Sequence, residues 1–335
     1  NNTSTKSNFS GVSMNEDKTR ASFDQIGFVY SNKIGNNTSL RFVNFGFNYH
    51  KSKNFNRLFS MGGALDNMSQ SFQLAQEMER YGLTESEFND ILDAKNPYTK
   101  YWNQLPVLGV MGVRTGVVDW FNDPEKNIHA PWGWNGFNNN FFSKETGGIS
   151  QYDFNVSFNI EDRVYLGATL GVYDVNYDRY TSYTENLNDD KGADNGGYTL
   201  DNYYRLEGTG MDLKLGVIVR PIESSPFRLG FAVHTPTWYD LRESYNATLS
   251  SDILAYEKPY IQTLSDFLVT PEYDYLTYDY NLTTPWKFNV SAGTTFAGAV
   301  AVGAEYEYQD YSSSKLKDVD GYELGDQPSV ENYLK

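Results

Sequence analysis

Stretches of about ten residues in which apolar and polar side chains alternate recur along this chain, and such a pattern suits strands and cannot be buried on one face of a helix. In Gln151–Ile160, Tyr152, Phe154, Val156, Phe158 and Ile160 fall on one face, and Gln151, Asp153, Asn155, Ser157 and Asn159 on the other. Met211–Arg220 sets Met211, Leu213, Leu215, Val217 and Val219 against Asp212, Lys214 and Arg220. Phe227–His234, Trp286–Phe296 and Val300–Gln309 repeat the pattern, and Ile26–Tyr30, Arg41–His50 and Val164–Val172 follow it with more noise. That makes eight strands. Strands of soluble proteins average ~5–6 residues, whereas a tilted strand crossing a bilayer needs about 9–11. The connections also alternate. Asn32–Ser39, Glu161-Asp162, Pro221–Pro226 and Ala297–Ala299 are short; Lys51–Ser150, Asp178–Leu200 and Thr235–Thr284 are long. Short turns at one end and long loops at the other are the habit of outer-membrane barrels. A soluble β-sandwich is the competing fold.

Composition narrows the function. The chain has 335 residues, a formal net charge of −16 and no Cys. The acidic balance argues against nucleic acid as a partner, because binding it requires neutralising phosphates. Without Cys there is no disulfide framework, thiol catalysis or Cys-based zinc site. Mean hydropathy is −0.58, a value compatible with a barrel whose lumen-facing residues are polar. No apolar run reaches the ~20 residues of a spanning helix; the nearest, Leu105–Val118, is broken by Arg114. The polar N-terminal stretch has no signal-peptide pattern. Tyr173, Tyr177, Tyr180, Trp238, Tyr239, Tyr306, Tyr308 and Tyr311 sit toward the long-loop ends, where an interfacial girdle belongs.

The segment 51–150 reads as a long extracellular loop with helices of its own, capping a single barrel domain that spans 1–335. Leu65, Met68, Phe72, Ala75 and Met78 recur at helical spacing with Gly82 at the C-cap position, which predicts a helix over Ala64–Tyr81. Thr84 and Glu87 form a capping box that opens a second helix over Thr84–Ala94. Pro131–Phe142 reads as an aromatic, Asn-rich loop.

Gly208–Asp240, with GTGMDLKLGVIVRP, a short turn and FRLGFAVHTPTWYDL, resembles the FadL/TodX family of outer-membrane channels. LTTPWKFNVSAGTTF followed by AVGAEYEYQDYSS is similar to it as well, and the likeness is clearest over about 198–313. The resemblance implies an all-β fold: a transmembrane antiparallel β-barrel of 14 strands, of which about eight fall in this chain, in the outer membrane of a Gram-negative bacterium. It implies passive uptake of small hydrophobic compounds, fatty acids or aromatic hydrocarbons, with lateral exit through the wall. The family's N-terminal hatch has no counterpart here, and both ends of the chain fall on the long-loop side. These features describe an internal piece of a longer barrel.

No phosphate-binding loop, dinucleotide fingerprint or zinc-protease motif is present, and no cofactor, metal or enzymatic activity is expected. His50, His129 and His234 are scattered, and the acidic loops at 186–197 and 317–321 miss calcium spacing. The candidate ligand contacts are Phe72, Leu74, Met78, Leu105, Val107, Leu108, Val110 and Met111 in the helical segment, with packing of that segment's own core as the alternative. Asp153, Asp212, Lys214, Arg228, His234, Lys287, Glu305 and Glu307 are the expected polar lumen residues, with the apolar faces outward. Expected partners are outer-membrane lipid, a hydrophobic small molecule or detergent, and other outer-membrane proteins. The alternative function is a barrel of the same family acting as a structural or shuttle subunit of an outer-membrane assembly.

Overall fold

The computed structural model describes residues 2–325 except 37, 67, 102–103, 124, 126–127, 190, 257–258, 270–275 and 297–298. A hairpin, β1 (Asn2–Phe9) and β2 (Val12–Thr19), precedes β3 (Gln25–Lys33), β4 (Leu40–Asn54) and β5 (Arg57–Ala64). Helices α1 (Gln70–Arg80), α2 (Glu85–Asp93), α3 (Pro97–Tyr101) and α4 (Val107–Thr115) follow, then the small hairpin β6 (Asp119–Asp123) and β7 (Ile128–Trp132). Three long strands come next: β8 (Asn135–Ile160), β9 (Val164–Asn188) and β10 (Asp194–Val219). The chain continues through β11 (Arg228–His234), β12 (Trp238–Ser251), β13 (Tyr260–Thr263), α5 (Ser265–Leu268), β14 (Thr277–Thr283), β15 (Lys287–Phe296), β16 (Val300–Gln309) and β17 (Lys315–Asp318).

The main sheet is antiparallel and curls into about half a barrel. Several strands are two segments of one ribbon. β10 pairs with β11 along its lower part and with β12 along its upper part, and β15 and β14 continue next to them. β4 and β5 both pair with β8, and β16 and β17 extend the far edge. Counted as ribbons, the eight strands expected from the sequence are present. At the lower end three residues, 161–163, join β8 to β9; Glu161 and Asp162 both take positive φ, 55° each, and Arg163 N–H donates to Ile160 C=O at 3.0 Å. This is the type I′ geometry that matches strand twist.

The apolar faces are exposed. Phe154 is 51%, Leu215 45%, Phe231 48% and Val302 55% accessible, the reverse of a sandwich core. The opposite face carries the buried polar groups, including Asp212, Gln151 and Asn289.

Above this level the two faces exchange polarity. On β9 the outward residues run Leu166, Ala168, Leu170, Val172 and then Asp174, Asn176, Asp178; the inward ones run Gly167, Thr169, Gly171 and then Tyr173, Val175, Tyr177. On β10 the outward series Leu215, Leu213, Met211 gives way to Thr209, Glu207, Arg205, while Leu206, Tyr204 and Leu200 turn inward. β12 follows suit, with Asp240 and Arg242 outside and buried Leu241, Ala247 and Leu249 inside.

The inversion corrects three sequence readings. Asp178–Leu200 is not a long loop: β9 runs on to Asn188 and β10 starts at Asp194, and Asp189 N–H donates to Ala193 C=O at 2.9 Å. Pro131–Phe142 is mostly strand, at the end of β7 and the start of β8. Tyr173, Tyr177 and Tyr239 belong to the inner face, where Tyr173 and Tyr239 rings lie 5.7 Å apart. Trp238, Tyr180, Tyr306 and Tyr308 face outward, and the outward aromatics near the exchange include Tyr49, Tyr152, Trp238 and Trp286; Tyr49 and Tyr152 are neighbours at 5.2 Å.

The inner face of the upper sheet carries the helices. Met78, Ile91, Met111 and Val118 share one core with Leu187, Tyr198 and Leu249 of the sheet. α1 begins at Gln70 rather than Ala64, because Ser69 caps it by accepting from Ser71 N–H. It ends in a Schellman motif: Gly82 has φ 80°, Leu83 N–H donates to Met78 C=O and Gly82 N–H to Glu79 C=O. The Thr84/Glu87 capping box of α2 is present as expected. In α4, Gly109 abuts Met78 and Gly112 abuts Val118, so the helix lies close against its neighbours.

The β1–β2 hairpin, which the sequence reading missed, lies along β5. Thr5 Oγ1 donates to Leu58 C=O, and Ser10 Oγ to Ala64 C=O at 2.9 Å. Hydroxyls on a polar hairpin thereby occupy carbonyls along β5.

Candidate functional site

The lower inner face holds a trough of about 570 Å³ lined by Lys214, Arg228, His234, Asn289 and Glu305, among others. It arises where small residues, Gly167, Gly216 and Ala232, point inward on adjacent strands. At its upper end Asp153, Gly171 and Asp212 stand in one row across β8, β9 and β10. A Cβ on Gly171 would lie 2.3 Å from Asp212 Oδ1, so only glycine leaves room for the carboxylate. Lys214 Nζ donates to Asp153 Oδ1 at 2.9 Å and stands 3.8 Å from Asp212 Oδ1. Gln151 Nε2 donates to Asp153 Oδ1 at 2.8 Å, Tyr173 OH donates to Asp212 Oδ2 at 2.8 Å, and His50 Nδ1 lies 3.7 Å from Asp153 Oδ2. A lone ammonium between two acids that also accept neutral donors makes a fixed, strongly polar wall.

A second cluster occupies the β15–β16 side. Asn289 Nδ2 donates to Glu305 Oε1 at 2.7 Å and to Glu307 Oε2 at 3.1 Å, and Lys287 Nζ lies 3.3 Å from Glu307 Oε1. Arg228 sits at the lower rim above the Tyr165 ring. The eight expected lumen residues thus share one face. Lys214, Arg228, His234 and Glu305 line the trough, while Asp153, Asp212, Lys287 and Glu307 lie next to it. Gln151 and Asn289 were read on the polar face without being singled out as site residues, and His50 and Tyr173 were missed. Strand parity was the signal, since Tyr173 continues the inner series of Gly167, Thr169 and Gly171.

The apolar candidates lie elsewhere. Leu74, Met78, Leu105, Val110 and Met111 are buried in the core between helices and sheet, while Phe72, Val107 and Leu108 are half-buried at its margin. Phe72 meets Trp132 edge to face at 5.4 Å.

The helical layer is tied to the sheet by a buried carboxyl group that the sequence did not single out. Glu185 is fully buried, and its Oε2 accepts from Tyr183 OH at 2.7 Å, Tyr198 OH at 2.7 Å and the Gln70 N–H at the start of α1 at 3.1 Å. Burial, reinforced by Glu185, pushes both tyrosine hydroxyls well above their usual range, so they remain donors. Among the described residues no group of three metal-ligating side chains converges, and no helix is long and apolar enough to cross a membrane. No family model, curated protein or solved structure matches the chain.

Proposed function

We propose that this chain forms part of the wall of an outer-membrane β-barrel that admits small hydrophobic compounds by passive diffusion. The observation that carries the reading is the exchange of face polarity along unbroken strands. Below it the outward face is apolar over Tyr152–Ile160, Val164–Val172 and Met211–Val219. About nine residues at ~3.3 Å rise give ~26 Å along the strand. At the 35–45° tilt of such barrels this is about 19–22 Å of height, near the ~25 Å apolar band they carry. The outward Tyr49, Tyr152, Trp238 and Trp286 mark one boundary, as an aromatic girdle does. On this reading the upper sheet and its helices form an extracellular cap, and the polar trough faces the lumen.

Two features support passage of a hydrophobic ligand, alongside the FadL/TodX resemblance. The ladder is interrupted at Thr235–Thr237 and Thr284–Trp286, where Pro236 and Pro285 have no N–H to offer. The margin of the helical layer offers Phe72, Val107 and Leu108 for first contact. A ligand leaving water gains ~0.8 kcal/mol per buried CH₂, so chain burial alone supplies modest affinity.

The wall is tested with Leu215→Lys, at the centre of the band. Folding into phospholipid vesicles should lose about 2–4 kcal/mol. In a water-soluble protein, replacing a half-exposed Leu by Lys stays within about ±0.5 kcal/mol, and that result would refute the membrane reading. The channel is tested by uptake of a labelled fatty acid and a labelled aromatic hydrocarbon in a strain lacking the gene, with and without complementation. Equal uptake in both would refute the channel. If the protein then copurifies with stoichiometric partner chains, the assembly-subunit function takes its place.

A further inference from the structure

Above the apolar band, on the same outward face, β9, β10, β12 and β14 present a second trough, of about 820 Å³. Its floor is built from side chains whose partners are fixed. Arg205 Nε donates to Asp178 Oδ1 at 2.7 Å, and Arg242 grips Asp279 through two bonds of 2.7 and 2.9 Å. Tyr203 is 49% exposed, and its ring centroid lies 5.0 Å from that of Tyr180, whose hydroxyl donates to Asp201 Oδ1 at 2.8 Å. The Arg242–Asp279 level lies four residues beyond Trp238, about 13 Å along the strand. Tyr203 lies eight residues beyond Met211, about 26 Å.

We propose that this trough binds the neutral hexose chain of a glycolipid in the surrounding leaflet. The inference rests on the membrane reading, which puts the face next to lipid headgroups rather than the lumen. Each part of the floor matches a property of sugars. A half-exposed aromatic ring offers a flat apolar surface to the C–H face of a hexose. Held guanidinium–carboxylate pairs offer donors and acceptors side by side to neighbouring hydroxyls, with little side-chain freedom left to lose. The volume lies within the ~300–1,000 Å³ typical of small-ligand sites. Charge selects among sugars: Arg179, Arg205 and Arg242 balance Asp178, Glu207 and Asp279 along the lining, so the trough has no net positive charge to draw phosphorylated or acidic units. Height selects the source: the trough begins about 13 Å beyond the outward Trp238, on the same face as the apolar band, where a glycan anchored in the leaflet emerges.

The test uses the full-length protein purified from cells and reconstituted into nanodiscs. The discs contain phospholipid with either a glycolipid bearing a neutral hexose chain or the same lipid with its sugars removed. Glycolipid retained per protein is read by native mass spectrometry, and insertion is scored separately by protease protection of the spanning strands. Retention of the intact glycolipid should exceed that of the trimmed one at least tenfold. Tyr203→Ala, and separately Arg242→Lys, which keeps the charge and loses the fork, should each abolish most of that difference while insertion is unchanged. Equal retention of the two lipids, or variants that bind like the parent, overturns the inference and leaves the membrane reading intact. Free oligosaccharide binding as tightly as the glycolipid overturns the assignment to a leaflet-borne glycan. Failure to insert overturns both.

Discussion

Removing the carboxyl of Glu185 should release the helical layer from the sheet. One oxygen of this fully buried group takes three donors: Tyr183 OH, Tyr198 OH and the Gln70 N–H. Glu185→Ala leaves all three donors without that partner. Each buried, unsatisfied donor costs about 1–3 kcal/mol. Relaxation and entering water reduce the sum, so about 3–5 kcal/mol is the expected loss, comparable to breaking a buried charged contact. Glu185→Gln keeps one acceptor oxygen and loses the charge-assisted part of each bond; its cost should be about 1–2 kcal/mol. The loss is local, because these contacts lie at the upper ends of β9 and β10, far along the strands from Val164–Val172. Hydrogen exchange followed by mass spectrometry is therefore the right assay. Amides of α1 should exchange roughly a hundredfold faster or more in Glu185→Ala, while those of Val164–Val172 keep their protection. Unchanged protection of α1 would refute the latch, and equal loss in both regions would refute its locality.

Three further outcomes are expected. Gly171→Ala should drive a Cβ into the space held by Asp212 Oδ1, 2.3 Å away, and cost about 1–3 kcal/mol, read as a lower temperature of heat-induced mobility shift in SDS gels. Met111→Ala, at a side chain with no exposure, should cost about 2–5 kcal/mol in the helical layer, measured by limited proteolysis between α2 and α4. The Arg242 bond holds the Asp279 carboxyl below its ordinary value near 3.8. Its folded pKa being depressed, the pair is intact above that value and lost as pH falls through the lowered one. Glycolipid retention should therefore be flat from pH 8 to 5 and drop only below about pH 4.

The lower half of the fold was legible because its two faces differ in polarity in the sense a strand reader expects. Phe154, Leu215 and Val290 mark the outside, and Asp153, Lys214 and Asn289 the inside. The upper half was opaque because that sense reverses. Tyr173, Val175 and Tyr177 continue the alternation of β9 without a break, but on the other parity, so tracking the apolar face alone ends the strand at Val172. The capping box at Thr84 was legible because capping is local chemistry. The β1–β2 hairpin was not: both its faces are polar, and its anchorage is a set of hydroxyls meeting carbonyls more than fifty residues away. Glu185 was invisible for a related reason. Its partners Tyr183 and Tyr198 lie nearby in sequence, but Gln70 is brought to it only by the docking of α1.

The same polarity exchange explains where the sheet tolerates damage. Three neighbouring ribbons break near one level: at Thr235–Thr237, at Thr284–Trp286 and at the 3₁₀ turn Tyr311–Ser313. Threonine hydroxyls repair part of the loss. Leu213 N–H donates to Thr235 Oγ1 at 3.0 Å and Thr237 N–H to Thr284 Oγ1 at 2.8 Å, while Thr284 N–H still reaches Thr237 C=O at 3.0 Å. In hydrocarbon each backbone group left unpaired costs several kcal/mol. On the membrane reading these breaks lie with Trp238 and Trp286 at the edge of the band, where water and headgroups satisfy what the hydroxyls do not. β8, β9 and β10 cross the same level without interruption. These three strands thus form a stiff plate that carries the helical layer on its inner face. The other side is a line of weak pairing, where, on the proposed channel function, a lipophilic molecule would meet the least resistance to leaving through the wall.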